Sequence, residues 1–145
     1  MVATGETIHV RRGRRSDFPR VRALLPVAAD ARQERFDRRT FASLTGDVYV
    51  AEDAAGAILG LVAVGYLRSV TAGRTIAVLD AVRAIADAAP VLDRLIAFAE
   101  ARARRRGCTR LTAWGDPGNA ALQAALASRG YRSHAVLVTD LGGAD

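Results

Sequence analysis

The segment TIAVLDAVRAIADAAPVLDRLIAFAEARARRRG, residues 75–107, is the strongest indication of the fold class of this chain. Its first part is apolar and β-branched, which predicts a buried strand over residues 74–82. Pro90 suits the first turn of a helix, and Gly107 suits the left-handed cap at its end. Apolar spacing predicts that this helix has a buried stripe, formed by Val91, Leu92, Leu95, Ile96, Ala99 and Ala103.

The turn between this strand and this helix lies where many α/β proteins bind phosphate. The first amides of a helix are unpaired and the helix dipole is positive there, so a bound anion satisfies both. Here the turn, residues 87–92, has the sequence DAAPVL and contains no glycine. Asp87 adds a negative charge, although an alternative role for it is to cap the helix. The strand–turn–helix arrangement therefore predicts an anion site, whereas the residues of the turn disfavour one.

Length and composition predict one ordinary domain that spans residues 1–145. Cys108 is the single cysteine, so an internal disulfide is excluded and a cytoplasmic location is expected. His9 and His134 match no metal motif, and we expect no metal. No apolar run reaches about 18 residues, so no membrane insertion is expected.

The charge pattern is strongly basic but uneven. The formal net charge is +6, and all 21 basic residues are arginines. Residues 1–40 and 102–110 carry the excess, whereas residues 41–100 are net acidic. A phosphate-rich partner is compatible with this pattern, but the chain has no basic recognition helix with interleaved aromatic residues. Nucleic acid is therefore a disfavoured partner.

The other elements follow from periodicity and turn chemistry. They are a strand over 8–11, a helix capped by Ser16 or Asp17 and ended by Pro26, a second helix around 38–44, a hairpin of strands 47–52 and 57–70, a strand over 108–114, a helix capped by Asn119, and a last strand over 134–141. The strand–helix–strand run predicts a parallel pair, and the hairpin predicts antiparallel neighbours. We therefore predict an α/β domain with a mixed sheet.

The order of these elements and several short sequence segments resemble the GCN5-related N-acetyltransferase (GNAT) superfamily. These segments are IHVRRGRRSDFPRVRALL (residues 8–25), YVAEDAAGAILGLVAV (49–64), LDAV (79–82), AEARARRRGCTRLTAW (99–114) and NAALQAALASRGY (119–131). The resemblance covers nearly the whole chain. It implies a mixed, mostly antiparallel sheet of about six to seven strands, flanked by about four helices.

The resemblance also implies acetyl-CoA, or another acyl-CoA, as co-substrate. The cofactor would lie between the strands matched by residues 79–82 and 111–114, with backbone groups of Val82 and Ala84 pairing with its pantetheine arm. Its pyrophosphate would sit at the start of the next helix, near Val91 and Leu92, with Arg83 or Arg94 for the phosphates. Asn119 matches an asparagine of the family. Three positions depart from the family's phosphate loop: Asp87 replaces a basic or amide residue, and Pro90 and Leu92 replace glycines.

The catalytic residues implied by the resemblance are incomplete. Leu126 stands where the family often has a tyrosine that acts as general acid, which leaves Tyr131, Tyr66 or water for that role. Asp80 and Glu52 are the candidate general bases, although a carboxylate at a strand end is often simply solvated. Cys108 begins a predicted strand, so we expect it to pack as a small apolar residue.

Two functions follow from the resemblance. The first is an acyl-CoA-dependent N-acetyltransferase that acts on a small-molecule amine by direct transfer. The alternative is a catalytically degenerate GNAT-fold protein that serves as a ligand-binding or protein-interaction module. For the acceptor we expect a wall made of residues 32–44 with Tyr49 and Tyr66. Exposed sheet edges favour a homodimer.

Overall fold

The computed structural model describes residues 7–25, 28, 30–42, 47–114 and 118–142. Within these residues five strands form one sheet in the order β1-β2-β3-β4-β5. They are β1 (His9–Arg12), β2 (Asp47–Glu52), β3 (Ile58–Ser69), β4 (Arg74–Ala84) and β5 (Leu111–Ala113). The first four strands are antiparallel neighbours, and β5 is parallel to β4, so the predicted mixed sheet is confirmed.

Helices cover both faces of the sheet. The described part of the chain has four α-helices: α1 (Phe18–Val21), α2 (Ala31–Ala42), α3 (Ala89–Arg105) and α4 (Ala120–Ser128). Alternate residues of β2 point to opposite faces. Tyr49 and Ala51 join the core beneath α3 and α4, whereas Val48 and Val50 join the core beneath α1 and α2. The sheet is thus the middle layer of an α/β domain.

Helix α3 is the main packing element. Its six predicted stripe residues are at most 3% exposed, so the predicted helix and its buried face are confirmed. Gly60 allows the start of α3 to lie close to β3, because a Cβ atom there would meet the Arg83 carbonyl oxygen at 2.6 Å and Val91 Cγ1 at 2.9 Å. Gly107 ends the helix region with φ of +77°, as its position predicts.

A β-bulge interrupts β4 at Asp80. Ala63 of β3 pairs with Ala81, and Val64 pairs with Leu79, so Asp80 is the extra residue. The bulge shifts the alternation of the strand: Leu79 faces the α3 core before it, and Val82 faces the same core after it. Asp80 itself is exposed. The bulge therefore displaces the Asp80 carboxylate from the regular alternation of β4. This happens next to Leu79, where the pairing of β4 with β5 ends.

The predicted last strand over 134–141 is wrong. Residues 131–142 form no strand or helix, and several apolar side chains in this C-terminal segment are exposed: Val136 68%, Leu137 98%, Val138 83% and Leu141 93%. The predicted strand over 108–114 is shorter, because only Leu111–Ala113 pairs with β4. The sheet of the described residues consequently has five strands instead of six to seven.

The first two helices also differ from the prediction. Helix α2 covers Ala31–Ala42, whereas the predicted helix lay around 38–44, a range whose last two residues lie outside the described residues. Asp17 does not cap α1. It sits in the short 3₁₀ turn Arg15–Asp17, where its carboxylate accepts a hydrogen bond from the backbone amide of Arg14. The predicted stop at Pro26 falls outside the described residues. Among the residues that the structure describes, none of the helices has the length and hydrophobicity of a membrane-spanning segment.

Candidate functional site: a splay between two parallel strands

The candidate site is the opening where β5 stops and β4 continues. Leu79 is the last residue of β4 that pairs with β5, opposite Ala113, and its carbonyl accepts a hydrogen bond of 3.1 Å from the Trp114 amide. Strand β4 then continues to Ala84 with β3 on one side only, and within the described residues no strand pairs with its other edge. Unpaired strand edges bind extended ligands through backbone hydrogen bonds.

Val82, Ala84 and Arg83 lie on this last part of β4. Val82 and Ala84 are buried, with 3% and 8% of their surface exposed, so they offer backbone groups instead of side chains. The half-buried Arg83 side chain turns back, and its Nη1 donates a hydrogen bond of 3.1 Å to the Val82 carbonyl. The sequence-predicted pantetheine positions are therefore brought together on one strand edge.

The turn after β4 has a strained backbone. Ala86 and Asp87 adopt φ of 51° and 49°, the left-handed region that favours glycine. A left-handed conformation costs a residue with a side chain roughly 1–2 kcal/mol. The sequence shows that this turn contains no glycine. It does not predict that two successive residues with side chains adopt the left-handed conformation. Such strain often marks a functional turn.

The start of α3 offers few donors to an anion. Pro90 has no amide hydrogen, and the amides of Val91 and Leu92 both donate to the Ala88 carbonyl, at 3.1 and 3.0 Å. The Val91 and Leu92 side chains are fully buried in the core. Leu92, which stands where the family has a glycine, therefore directs its side chain into the core and not into the turn.

Asn119 connects the starts of the two helices that flank the opening. Its Oδ1 accepts a hydrogen bond of 3.0 Å from the Leu122 amide, which confirms the predicted cap of α4. Its Nδ2 lies 3.3 Å from Oδ1 of Asp87. One side chain thus stabilises α4 and also holds the carboxylate of the strained turn before α3.

The two candidate general bases lie far apart. Asp80 is at the level of Val64 and Asp47 in the sheet, whereas Glu52 ends β2 at the opposite end of that strand. Glu52 lies five residues along β2 from Asp47, and Asp80 lies two strands away from β2, so Asp80 and Glu52 are roughly 15–20 Å apart. Glu52 also accepts a hydrogen bond of 3.0 Å from Nε of Arg11. Asp80 is exposed beside the opening, whereas Glu52 is paired with Arg11 two strands across from Ala84, the end of the unpaired edge.

The tyrosines named for the acid role have different environments. The Tyr66 hydroxyl donates to Oδ2 of Asp47 at 2.8 Å, and burial together with that carboxylate raises its pKa. The Tyr131 hydroxyl is buried and has no hydrogen-bond partner among the described residues. Burial, with the negative charge of Glu100, raises the pKa of Tyr131 to about 12. Leu126 packs in the core of α4 and is 6% exposed.

Two buried carboxylates were not predicted from the sequence. Asp47 is 1% exposed and contacts Arg102 and Arg106, each at 3.3 Å. Burial raises its pKa, but the hydrogen bonds from Tyr66 and Arg102 outweigh that effect and the pKa is lowered. The second is Asp17, which is 1% exposed and accepts hydrogen bonds from Arg11 and Arg20. An aspartate at the start of a strand or turn resembles a solvated residue in sequence, so only the packing of distant arginines identifies these two.

The expected acceptor wall does not form. Tyr49 is 5% exposed and packs against Phe98, with ring centroids 4.7 Å apart, on the face covered by α3. Tyr66 packs against the same core. Helix α2 covers the opposite face of the sheet, where Phe41 joins the core with Phe18. The sheet therefore separates these tyrosines from the arginines of residues 32–42.

The fold is that of GNAT acetyltransferases, and many solved structures share it. A transcriptional regulator from Bacillus halodurans C-125 matches with a TM-score of 0.78 and 17% identity, over 93% of this chain and all of that one. An aminoglycoside N-acetyltransferase solved with CoA has a TM-score of 0.76 and 14% identity, over 98% and 99% of the two chains.

An aminoglycoside 6′-N-acetyltransferase from Acinetobacter baumannii has a TM-score of 0.73 and 13% identity, over 96% of this chain and 100% of its own. No protein-family model matches the sequence, and no curated protein sequence matches it. At these identities the likeness establishes the fold alone.

Proposed function

We propose that this chain is an N-acetyltransferase of the cytoplasm that uses acetyl-CoA, or another acyl-CoA, and a small-molecule amine. The observation that carries the proposal is the unpaired edge of β4 beyond Leu79, beside a β-bulge, in a chain with the GNAT fold. Among proteins with this fold, one aminoglycoside N-acetyltransferase was solved both with CoA and with a bisubstrate analogue of CoA and acetylneamine.

The edge of β4 fits the amide-rich pantetheine arm. Backbone groups of Val82 and Ala84 would hold the arm, and Arg83 and Arg94 would meet the phosphates. The phosphates would lie near Val91 and Leu92, where the dipole of α3 is positive, although both amides already donate to the Ala88 carbonyl. Asn119 caps the neighbouring helix α4. The negative charge of Asp87 would repel the phosphates. Its hydrogen bond with Asn119 has to break before the Asn119 side chain can turn toward the pantetheine arm.

Bound acetyl-CoA supplies a thioester carbonyl that an amine can attack, with a thiolate as leaving group. A backbone amide near Val82 polarises the carbonyl oxygen. Asp80 accepts the proton that the amine loses, and its exposure on the bulge allows transfer through water. Tyr131 is the proposed donor of a proton to the thiolate, and its buried hydroxyl would have to become accessible to the opening. Glu52 is the second candidate base, and it would first have to leave its ion pair with Arg11.

The unpaired hydroxyl of Tyr131 supports its assignment as the acid. A buried hydroxyl without a partner costs about 1–3 kcal/mol, and such groups require an explanation. A donor kept ready for a thiolate is one such explanation.

Replacement of Tyr131 with phenylalanine is expected to raise the free energy of unfolding by about 1 kcal/mol, because the change removes the unsatisfied hydroxyl. It is also expected to lower kcat several-fold with little change in KM. Urea unfolding and steady-state kinetics measure the two effects. A variant with unchanged kcat would remove Tyr131 from the mechanism. In the parent enzyme, a group that titrates in kcat between about pH 8 and 10 would point to a different acid.

The proposed activity is tested by thiol release from acetyl-CoA in the presence of a panel of primary amines. Amine-dependent release is expected, with Asp80→Asn slower than the parent. Release that does not depend on any amine, or no release above the rate without protein, would contradict the proposal.

The second candidate is a catalytically degenerate GNAT-fold protein that binds a ligand or a partner protein. The observation that favours it is the turn before α3, where Asp87 is bonded to Asn119 and Pro90 removes an amide. Binding of acetyl-CoA without any acetyl transfer, or no binding at all, would favour this candidate. One structural neighbour is described as a transcriptional regulator.

A homodimer is proposed through the outer edge of β5, which pairs with no strand among the described residues, and the exposed C-terminal segment. The segment contains the β-prone run AVLV, residues 135–138, and its Leu137 is 98% exposed. Pairing of this run with a sheet edge of a second copy would cover it. Sedimentation velocity is expected to give a dimer, and Leu137→Asp together with Val138→Asp is expected to give a monomer. A monomeric parent protein at about 100 μM would contradict the dimer.

A further inference from the structure

A cavity of about 340 Å³ opens between the turn after β1 and helix α2, and four arginines line it. Arg15 comes from the 3₁₀ turn, and Arg35, Arg38 and Arg39 come from α2. Residues three and four apart share one face of a helix, so three guanidinium groups of α2 converge on one opening. The volume is within the range of small-molecule sites. We call this cavity the arginine cleft.

The carboxylates of α2 leave most of this charge unneutralised. Glu34 lies 3.0 Å from Nε of Arg22, and Asp37 lies 4.0 Å from Nη1 of the same residue, so both serve the link between α2 and the preceding turn. Arg38 reaches Glu34 at 3.7 Å. For the other three arginines of the cleft, the described residues provide no ion pair.

One arginine of the cleft is positioned before a ligand arrives. The guanidinium carbon of Arg38 lies 5.4 Å from the centre of the Phe18 ring, and that ring is buried. A cation over an aromatic face is attracted to it, so Phe18 and Glu34 together hold Arg38 at the wall of the cleft. Its planar group is shaped to bind two oxygens of a phosphate at once.

We infer that the arginine cleft binds the phosphate groups of a small phosphorylated molecule. Like charges gathered around one cavity repel each other, and an anion with two or more charges relieves that repulsion while it accepts hydrogen bonds from the guanidinium forks. The cleft lies on the α2 face of the sheet, opposite the face covered by α3, so it is separate from the proposed cofactor site. The inference does not depend on acetyl transfer.

The test is calorimetric titration of the full chain with inorganic pyrophosphate as the probe. The double variant Arg35→Gln, Arg39→Gln removes two walls of the cleft. The matched control Arg105→Gln, Arg110→Gln removes the same net charge from exposed positions elsewhere. Pyrophosphate is expected to bind the cleft variant at least tenfold more weakly than the parent, and the control within about twofold of the parent. All four side chains are exposed, so unchanged thermal midpoints confirm that both variants fold.

Three results would overturn the inference. One is the absence of pyrophosphate binding by the parent at millimolar concentration. The second is an equal loss of affinity in the cleft variant and the control, which would reduce the effect to net charge. The third is an oligouridylate that binds more tightly than pyrophosphate and is weakened by the cleft variant, because the partner would then be a nucleic acid.

Discussion

Replacement of Asp17 with alanine is expected to lower the free energy of unfolding by about 3–5 kcal/mol. The carboxylate is 1% exposed and accepts two hydrogen bonds from Arg11, at 2.8 and 2.9 Å. It also accepts from Arg20 at 2.8 Å and from the Arg14 amide at 2.7 Å. Without it, the Arg11 guanidinium, whose side chain is 14% exposed, keeps only Glu52 as a carboxylate partner.

Urea unfolding measures this loss, and Asp140→Ala is the control because Asp140 is exposed in the C-terminal segment. The hydrogen bonds from Arg11 are the largest cause that lowers the pKa of Asp17 to about 2. Its contribution is therefore complete above its unfolded pKa of about 3.9 and disappears as the pH falls toward 2. Asp17→Ala is expected to lack this acid-dependent component. A loss below about 1 kcal/mol at pH 7 would contradict the buried network.

Replacement of Asp87 with arginine is expected to tighten acetyl-CoA binding by between about five- and a hundredfold. A carboxylate within about 4–6 Å of a phosphate costs on the order of 1–3 kcal/mol, and the change replaces that repulsion with attraction. It also frees the Asn119 amide from its hydrogen bond to Asp87. Calorimetric titration of both proteins with acetyl-CoA measures the difference.

Two variants separate charge from backbone effects. Asp87→Asn keeps a residue that tolerates the left-handed conformation, and it is expected to give an intermediate affinity because only the charge is lost. Asp140→Arg makes the same change of charge in the C-terminal segment and is expected to leave the affinity within twofold. Equal affinities of Asp87→Arg and the parent would place the phosphates away from this turn.

The elements that were predicted correctly are those with strong local signals. The stripe of α3 follows from helical spacing, and the cap by Asn119 follows from the hydrogen-bonding chemistry of its side chain. Strand β2 was predicted with its observed bounds, because DVYVAE alternates and a turn follows it. The opening between β4 and β5 is expected only from the resemblance to GNAT proteins, because no local sequence pattern indicates where two neighbouring strands separate.

The parts that escaped prediction depend on distant contacts. The bulge at Asp80 requires the register between two strands, and the burial of Asp47 requires arginines 55 and 59 residues away. The run HAVLVTDL has the composition of a strand, yet composition does not supply a neighbouring edge. The arginine cleft combines a turn and a helix whose relative placement the sequence does not reveal.

Calorimetric titration of the full chain with acetyl-CoA tests whether the edge of β4 binds the cofactor. We expect one site per chain with a dissociation constant below about 1 mM, and competition by free CoA. The variant Arg35→Gln, Arg39→Gln is expected to bind acetyl-CoA as the parent does, because the arginine cleft lies on the other face of the sheet. No binding of acetyl-CoA at millimolar concentration would contradict the proposed acetyltransferase.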